Sequence, residues 1–161
     1  MKNILDISAI LGAKYLLFVA IGIALFYFFK QPKDKQRQMS TFGLLVLSLS
    51  YVLAKIASHF YYDARPFVAG HFTPLIAHIA DNGFPSDHTL LTAAVAAIIC
   101  YFDKKLGAIL FVLAFLVGAA RVYAGVHHIA DVIGSIVIAI AAAYIVSLFF
   151  QRLFLSAVSK R

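Results

Sequence analysis

Five apolar runs, each close to the length of a membrane crossing, occupy most of this 161-residue chain and leave little room for another architecture. A helix needs about 20 apolar residues to cross the hydrocarbon layer, and fewer where flanking side chains reach up to the headgroups. The runs cover Ile10 to Phe29, Phe42 to Tyr62, Thr89 to Phe102, Leu106 to Ala120 and Ile129 to Phe150. The third and fourth are short and must extend into their flanks. Hydrophobic residues make up 63% of the chain, charged residues 13%, and the mean hydropathy is +0.91. A water-soluble domain sits near half apolar and a quarter charged, so lipid must solvate much of this surface. The expected fold is all-α, a polytopic membrane helix bundle in a single domain spanning residues 1–161. It has five transmembrane helices, or six if the first nine residues form a separate helix at the interface. A cleavable signal peptide is not expected, because the apolar stretch after Met1-Lys2 runs long and ends in Phe-Phe-Lys instead of small residues.

The net charge of +7 does not point to nucleic acid, because the basic residues fall at segment ends, where they set topology and attract anionic headgroups. One side collects Lys30, Lys33, Lys35, Arg37, Lys104, Lys105, Arg152, Lys160 and Arg161; the other holds Lys2, Lys14, Arg65 and Arg121. This bias of nine against four predicts an outside N-terminus and a cytoplasmic C-terminus. Cys100 is alone in an apolar run, can form no internal disulfide, and reads as a small core residue.

On that map all six histidines, at positions 59, 71, 78, 88, 127 and 128, fall on or near the outer face, together with Asp63, Asp81, Asp87 and Asp131. Ionisable groups at membrane depth persist where they are paired or functional. A one-sided cluster drawn from three stretches of chain therefore predicts a site open toward the outer leaflet.

The first stretch ends the second helix at Arg65-Pro66, with Lys55 about two turns inside it. An arginine at a membrane exit is as readily an anchor as a ligand, but its planar fork also suits phosphate oxygens. A lysine within the helix needs an anion or a route to water. The second stretch, Pro85-Ser86-Asp87-His88, opens the third long helix. It has the residues of a plain capped start. A helix N-terminus also offers free N–H groups and the positive end of a dipole to an anion, and His88 in its first turn could donate a proton. The third stretch carries Arg121, His127 and Asp131. If the last helix begins near His127, the histidine and Asp131 are four apart and share a face. A carboxylate on one imidazole nitrogen leaves the other free to attack. His128 beside them could suggest a metal. The chain has no glutamate, and hydrolytic metal pairs use several carboxylates. No metal site is expected, and His128 reads as an interfacial side chain.

Together the three stretches resemble the signature of the type 2 phosphatidic acid phosphatase superfamily, which also includes vanadium haloperoxidases. The family pattern is Lys, six residues, Arg-Pro; then Pro-Ser-Gly-His; then Ser-Arg, five residues, His, three residues, Asp. Arg65-Pro66, then Pro85, Ser86 and His88, then Arg121, His127 and Asp131 match it in order. Three positions depart. Ser58 stands where the family has its lysine, and Lys55 lies three residues deeper, about 60° round the helix. Ala120 replaces a serine, and Asp87 replaces a glycine. Pro-Ser-Asp-His in a short chain of five spans, with the loop from Arg65-Pro66-Phe67 to Asp81-Asn82-Gly83-Phe84, resembles the bacitracin-resistance type of undecaprenyl-diphosphate phosphatase.

The resemblance implies cofactor-free hydrolysis of a lipid phosphate or diphosphate, undecaprenyl diphosphate first among them, on the outer face of the bacterial cytoplasmic membrane. It implies that His127 attacks phosphorus, Asp131 orients it and His88 serves as acid and base. Arg65, Arg121, Ser86, Asp87 and Lys55 would line the phosphate site, and the loop from Phe67 to Phe84 would cover the headgroup. Partners other than the substrate and membrane lipids are not implied. The motif does not choose among undecaprenyl diphosphate, phosphatidylglycerophosphate, phosphatidic acid and lipid A phosphates, nor between hydrolysis and transfer to an acceptor lipid. A vanadate-dependent oxidase is disfavoured for want of a soluble body. From a different class, a non-catalytic lipid-binding or transport protein remains; transporters often show repeats and midplane charges, whereas no repeat is visible here.

Overall fold

A computed structural model describes residues 3–158. Six helices follow one another: α1 (Ile4–Phe29), α2 (Lys33–Phe60), the single turn α3 (Pro66–Ala69), α4 (Asp87–Phe102), α5 (Lys104–Tyr123) and α6 (Ile129–Val158). The only pairing between extended segments among the described residues is an antiparallel bridge of Ala64 with Asn82. By length and composition α1, α2, α5 and α6 can each cross a membrane. The chain is a multi-pass membrane helix bundle, as the apolar runs require.

The helix ends show what the hydropathy reading captured. Phe29, Phe102 and Ile129 fall where expected, because a charge or a turn follows or precedes each. The first nine residues do not form a separate interfacial helix. Asn3 and Asp6 build a reciprocal capping box, with Asp6 N donating to Asn3 Oδ1 at 2.7 Å and Asn3 N to Asp6 Oδ2 at 3.0 Å. Such a cap satisfies orphan N–H groups, so α1 starts there and runs on unbroken. α2 begins at Lys33, nine residues before its apolar stretch, because Pro32 fixes a start and the charged turn continues as helix. Of the charges used for orientation, Lys2, Lys160 and Arg161 lie outside the described residues, as does the side chain of Arg152.

α4 is the centre of the bundle, packed by α5, α6, α2 and α1. It can be central because its buried face is mostly small: Ala93, Ala94, Ala96 and Ala97. Small residues allow close backbone approach where lipid removes the usual hydrophobic drive between helices. Gly107 of α5 takes this furthest, since a Cβ there would collide with the backbone of Cys100. With 16 residues α4 rises only about 24 Å, less than the ~30 Å hydrocarbon thickness. Residues 70–86 connect α3 to its N-terminus. Much of the outside of the bundle is apolar, with exposed side chains such as Phe18, Leu44, Phe115, Ile133 and Tyr144.

Candidate active site

The polar residues converge where α2 ends, α4 begins and α5 turns into α6. Arg65 follows α2 in extended backbone and caps α3. Its guanidinium is 4% exposed and fully engaged: Nε donates to Asp81 Oδ1 at 2.7 Å, one terminal nitrogen to the Val126 carbonyl at 2.9 Å, and the other to the Asn82 carbonyl at 3.4 Å. The nitrogen on Val126 also lies 3.2 Å from His127 Nε2.

His127 is 2% exposed. It sits in the α5–α6 turn, set by Gly125 at φ +78°, a left-handed conformation that glycine adopts without penalty, and by Val126 N donating to the Arg121 carbonyl at 3.2 Å. Its Nδ1, two residues before α6 begins, is 3.2 Å from Asp131 Oδ2 in the first turn of that helix. A carboxylate can only accept, so Nδ1 carries the proton and Nε2 presents its lone pair toward Arg65. Burial lowers the pKa of His127 below the ordinary histidine value; Arg121 and Arg65 add to this, and the Asp131 hydrogen bond opposes it. Asp131 is fully buried, accepts from His128 N at 2.8 Å, and is fixed at its backbone by Ser135 Oγ at 2.6 Å. The ring is thus held neutral, oriented and facing a cation.

Arg121, at the last turn of α5, is 3% exposed. It donates to the Ala13 carbonyl of α1 at 3.4 Å, and its Nε–H has no partner among the described residues. No carboxylate lies within ion-pair distance of it there, so a buried guanidinium remains without an anion. Ser86 is fully buried at the cap of α4, and its side chain makes no capping hydrogen bond; Oγ accepts from Thr89 Oγ1 at 3.1 Å instead. The first-turn N–H groups of α4 stay available, as an anion site requires. His88 is half-buried in that turn, with Arg121 and Asp87 the charges acting on it most strongly.

Six of the expected site residues, Arg65, Ser86, His88, Arg121, His127 and Asp131, therefore gather at one end of the bundle. Lys55 and Asp87 are brought to a neighbouring place. Both are exposed, without hydrogen bond or ion pair among the described residues, and both line a cavity of about 190 Å³ that Arg65 closes. Lys55 is thus not buried in the bundle, and its ammonium lies 5.4 Å from the centre of the Tyr51 ring. His128 is more than an interfacial side chain, since its Nδ1 is 3.0 Å from Asp63 Oδ2. Donor atoms of Asp63, His128 and Asp131 lie within 4.8 Å of one another, but Asp131 Oδ2 already receives His127 and the His128 N–H.

Asn82 was not expected. Its Oδ1 accepts from Asp63 N at 2.9 Å and Phe84 N at 3.0 Å, while Nδ2 reaches Ser58 Oγ at 3.0 Å and the Tyr61 carbonyl at 2.9 Å. One side chain thus ties the end of α2 to the loop before α4. Asp81 was read only as part of the polar cluster, and His78, whose ring centre is 6.0 Å from that of His127, likewise. The Asp81-Asn82-Gly83 run was the available signal, because Asx side chains commonly bond nearby backbone in turns.

The model of the PAP2 superfamily matches residues 40–155, and the chain belongs to that superfamily. It is 32% identical over 136 residues to the bacitracin transport permease protein BcrC of Bacillus licheniformis, covering 83% of this chain and 66% of that protein. It is 36% identical over 103 residues to the undecaprenyl-diphosphatase BcrC of Bacillus subtilis (strain 168), covering 64% and 51% respectively. The chain thus spans about half to two-thirds of the length of these relatives. Among solved structures, Aquifex aeolicus LpxE superposes with a TM-score of 0.67 at 30% identity, over 91% of this chain and 87% of that one.

Proposed function

We propose that this protein hydrolyses the terminal phosphate of a membrane lipid, with undecaprenyl diphosphate the best-supported substrate. The observation that carries the reading is the buried His127, bound to Asp131 through Nδ1 and facing Arg65 with Nε2. The Nε2 lone pair attacks the terminal phosphorus in line, and the bond from phosphorus to the bridging oxygen breaks as the P–N bond forms. His88 gives its proton to the leaving oxygen. It then takes a proton from water, which attacks phosphorus, expels His127 and releases orthophosphate. Arg65, Arg121, Ser86 and the N–H groups opening α4 hold the equatorial oxygens. Asp131 remains a carboxylate and stabilises the imidazolium. A bound phosphate also relieves the repulsion between two guanidiniums in a low-dielectric setting.

Likeness to the undecaprenyl-diphosphatase BcrC of Bacillus subtilis favours a polyprenyl diphosphate, and Asp87 in the glycine place agrees with it. The lysine-rich end of the bundle, at the α1–α2 and α4–α5 turns, supports a cytoplasmic placement of that end and a site on the outer side of a bacterial cytoplasmic membrane. A second reading, a phosphatase for phosphatidylglycerophosphate, is favoured by likeness to phosphatidylglycerophosphatase B of Bacillus subtilis (strain 168), 30% identical over 148 residues. Phosphate release from undecaprenyl diphosphate and from phosphatidylglycerophosphate, by wild type and His127→Ala, separates them. Undecaprenyl diphosphate should be turned over faster, and His127→Ala should release nothing. Full activity of that variant would sink the assignment.

A further inference from the structure

Lys55 and Asp87 face two cavities, not one. The polar cavity closed by Arg65 continues, past Tyr51, Lys55, Asp87 and Leu90, into a second of about 410 Å³ between α2 and α4. That second cavity is walled by Leu47, Leu91 and Ala94 and lies deeper along both helices. A continuous groove therefore runs from Arg65 down the side of the bundle, with one ammonium group at its waist.

That ammonium is unusually placed. Lys55 lies five residues before the end of α2, about 7 Å below it. A cation at that depth calls for an anion or a route to water, yet none of the described carboxylates lies within ion-pair distance. The charges nearby do not supply one: Asp81 is committed to Arg65 at 2.7 Å, and Asp87 shares the groove without reaching Lys55. Ser58, where the family lysine would stand, is instead used by Asn82 to fix the loop. Relative to that position Lys55 sits about 4.5 Å further down the helix axis, on the wall that the two cavities share. Arg65 separates the two places, with His127 Nε2 on one side of it and the groove on the other.

We propose that Lys55 forms a subsite for the inner phosphate of a lipid diphosphate, the phosphate that stays on the lipid. The terminal phosphate lies with His127 and Arg121 beyond Arg65, the inner one lies between Arg65 and Lys55, and the apolar chain leaves through the groove between α2 and α4. Asp87 opposes any anion at this subsite that Lys55 does not neutralise, so the two residues together select a diphosphate that reaches both cations. This rests on the lipid-phosphatase reading above and deepens it, making Lys55 a specificity residue that takes no part in the transfer itself.

The test compares initial rates of phosphate release from farnesyl diphosphate and farnesyl monophosphate by the purified full-length protein in detergent. The readout is the ratio of the two kcat/KM values. Lys55→Met should lower that ratio roughly tenfold or more, the scale of one lost charge-assisted contact, and Lys55→Arg should keep it within about threefold. Adding Asp87→Asn to Lys55→Met should restore several-fold of the loss. An unmoved ratio in Lys55→Met, or an equal loss on both lipids, overturns the subsite while leaving the phosphatase reading intact. Wild type that releases phosphate from neither lipid, or His127→Ala that matches wild type, overturns the parent reading and the subsite with it. Because Lys55 is exposed and unpaired, its replacement leaves the packing of the bundle undisturbed, and gel filtration checks that directly.

Discussion

The two ends of the bundle are built from the same helices by opposite means. At the lysine-rich end Phe42, Val46, Ile98 and Phe150 close a dry core, with Phe42 stacked on Tyr101 at 4.3 Å and edge-on to Phe102 and Phe150. At the other end Arg65, Ser86, Thr89, Arg121, His127, Asp131 and Ser135 are equally buried. Aromatic packing is tolerant of what surrounds it, whereas buried polar groups are costly unless every partner is present. The aromatic end thus holds the helices together so that the polar end can keep groups unsatisfied: the Arg121 Nε–H, and one oxygen of Asp131. On the proposed function, stability and reactivity are separated along the length of the bundle.

Substitutions at the two ends should come apart accordingly. His127→Ala removes the proposed nucleophile and should cost roughly ten-thousandfold or more in turnover, with the thermal midpoint of the purified protein little changed. A comparable loss of stability would break the division. Phe42→Ala is the converse. It should destabilise the bundle by about 3–5 kcal/mol, read by thermal or denaturant unfolding in detergent, while the folded fraction keeps its kcat. A kcat loss in proportion to stability would show the ends to be coupled. Asn82→Ala tests the boundary, since five hydrogen bonds to backbone and Ser58 hang on one amide. We expect a stability loss of about 1–3 kcal/mol and a larger KM as Arg65 loses its frame. Limited proteolysis between residues 70 and 84 should accelerate in the same variant.

The ends of the apolar spans were legible in the sequence and the polar site only in part, for a physical reason. Hydropathy counts residues, and the spans it counts end where lipid ends, so Phe29, Phe102 and Ile129 were readable without any knowledge of packing. The His127–Asp131 pair was readable from its spacing of four, although α6 begins only at Ile129 and His127 reaches Asp131 from the turn before it. What the chain does between spans follows no period. That Asp81 would take the Nε of Arg65, that Asn82 would staple α2 to the loop, and that Lys55 would face a groove instead of the buried cluster all depend on the path of residues 70–86 from α3 to α4. The start of α1 shows the same limit at smaller scale. Asn3 and Asp6 are polar and look like an interfacial lead-in, yet their reciprocal cap extends the helix.

The smallest effect concerns the proton on His127. Burial, reinforced by Arg121 and Arg65, lowers its pKa, and the hydrogen bond to Asp131 only partly offsets this. A lowered histidine pKa means that the neutral, attacking form persists to more acidic pH than usual, and is lost only as pH falls through that lowered value. In the substrate-free protein the ring should titrate below about 6.5, as followed by NMR of ring-labelled histidine with His127→Ala identifying the signal. The acid limb of kcat/KM should track the same group. Asp131→Asn removes an influence that raises the pKa, so in that variant the titration should move further down, even as the loss of orientation slows turnover by roughly a thousandfold. A midpoint above 7 in the wild type would mean that Asp131 outweighs burial and the two arginines at His127, and the polar end would then lack the desolvation on which its contrast with the aromatic end depends.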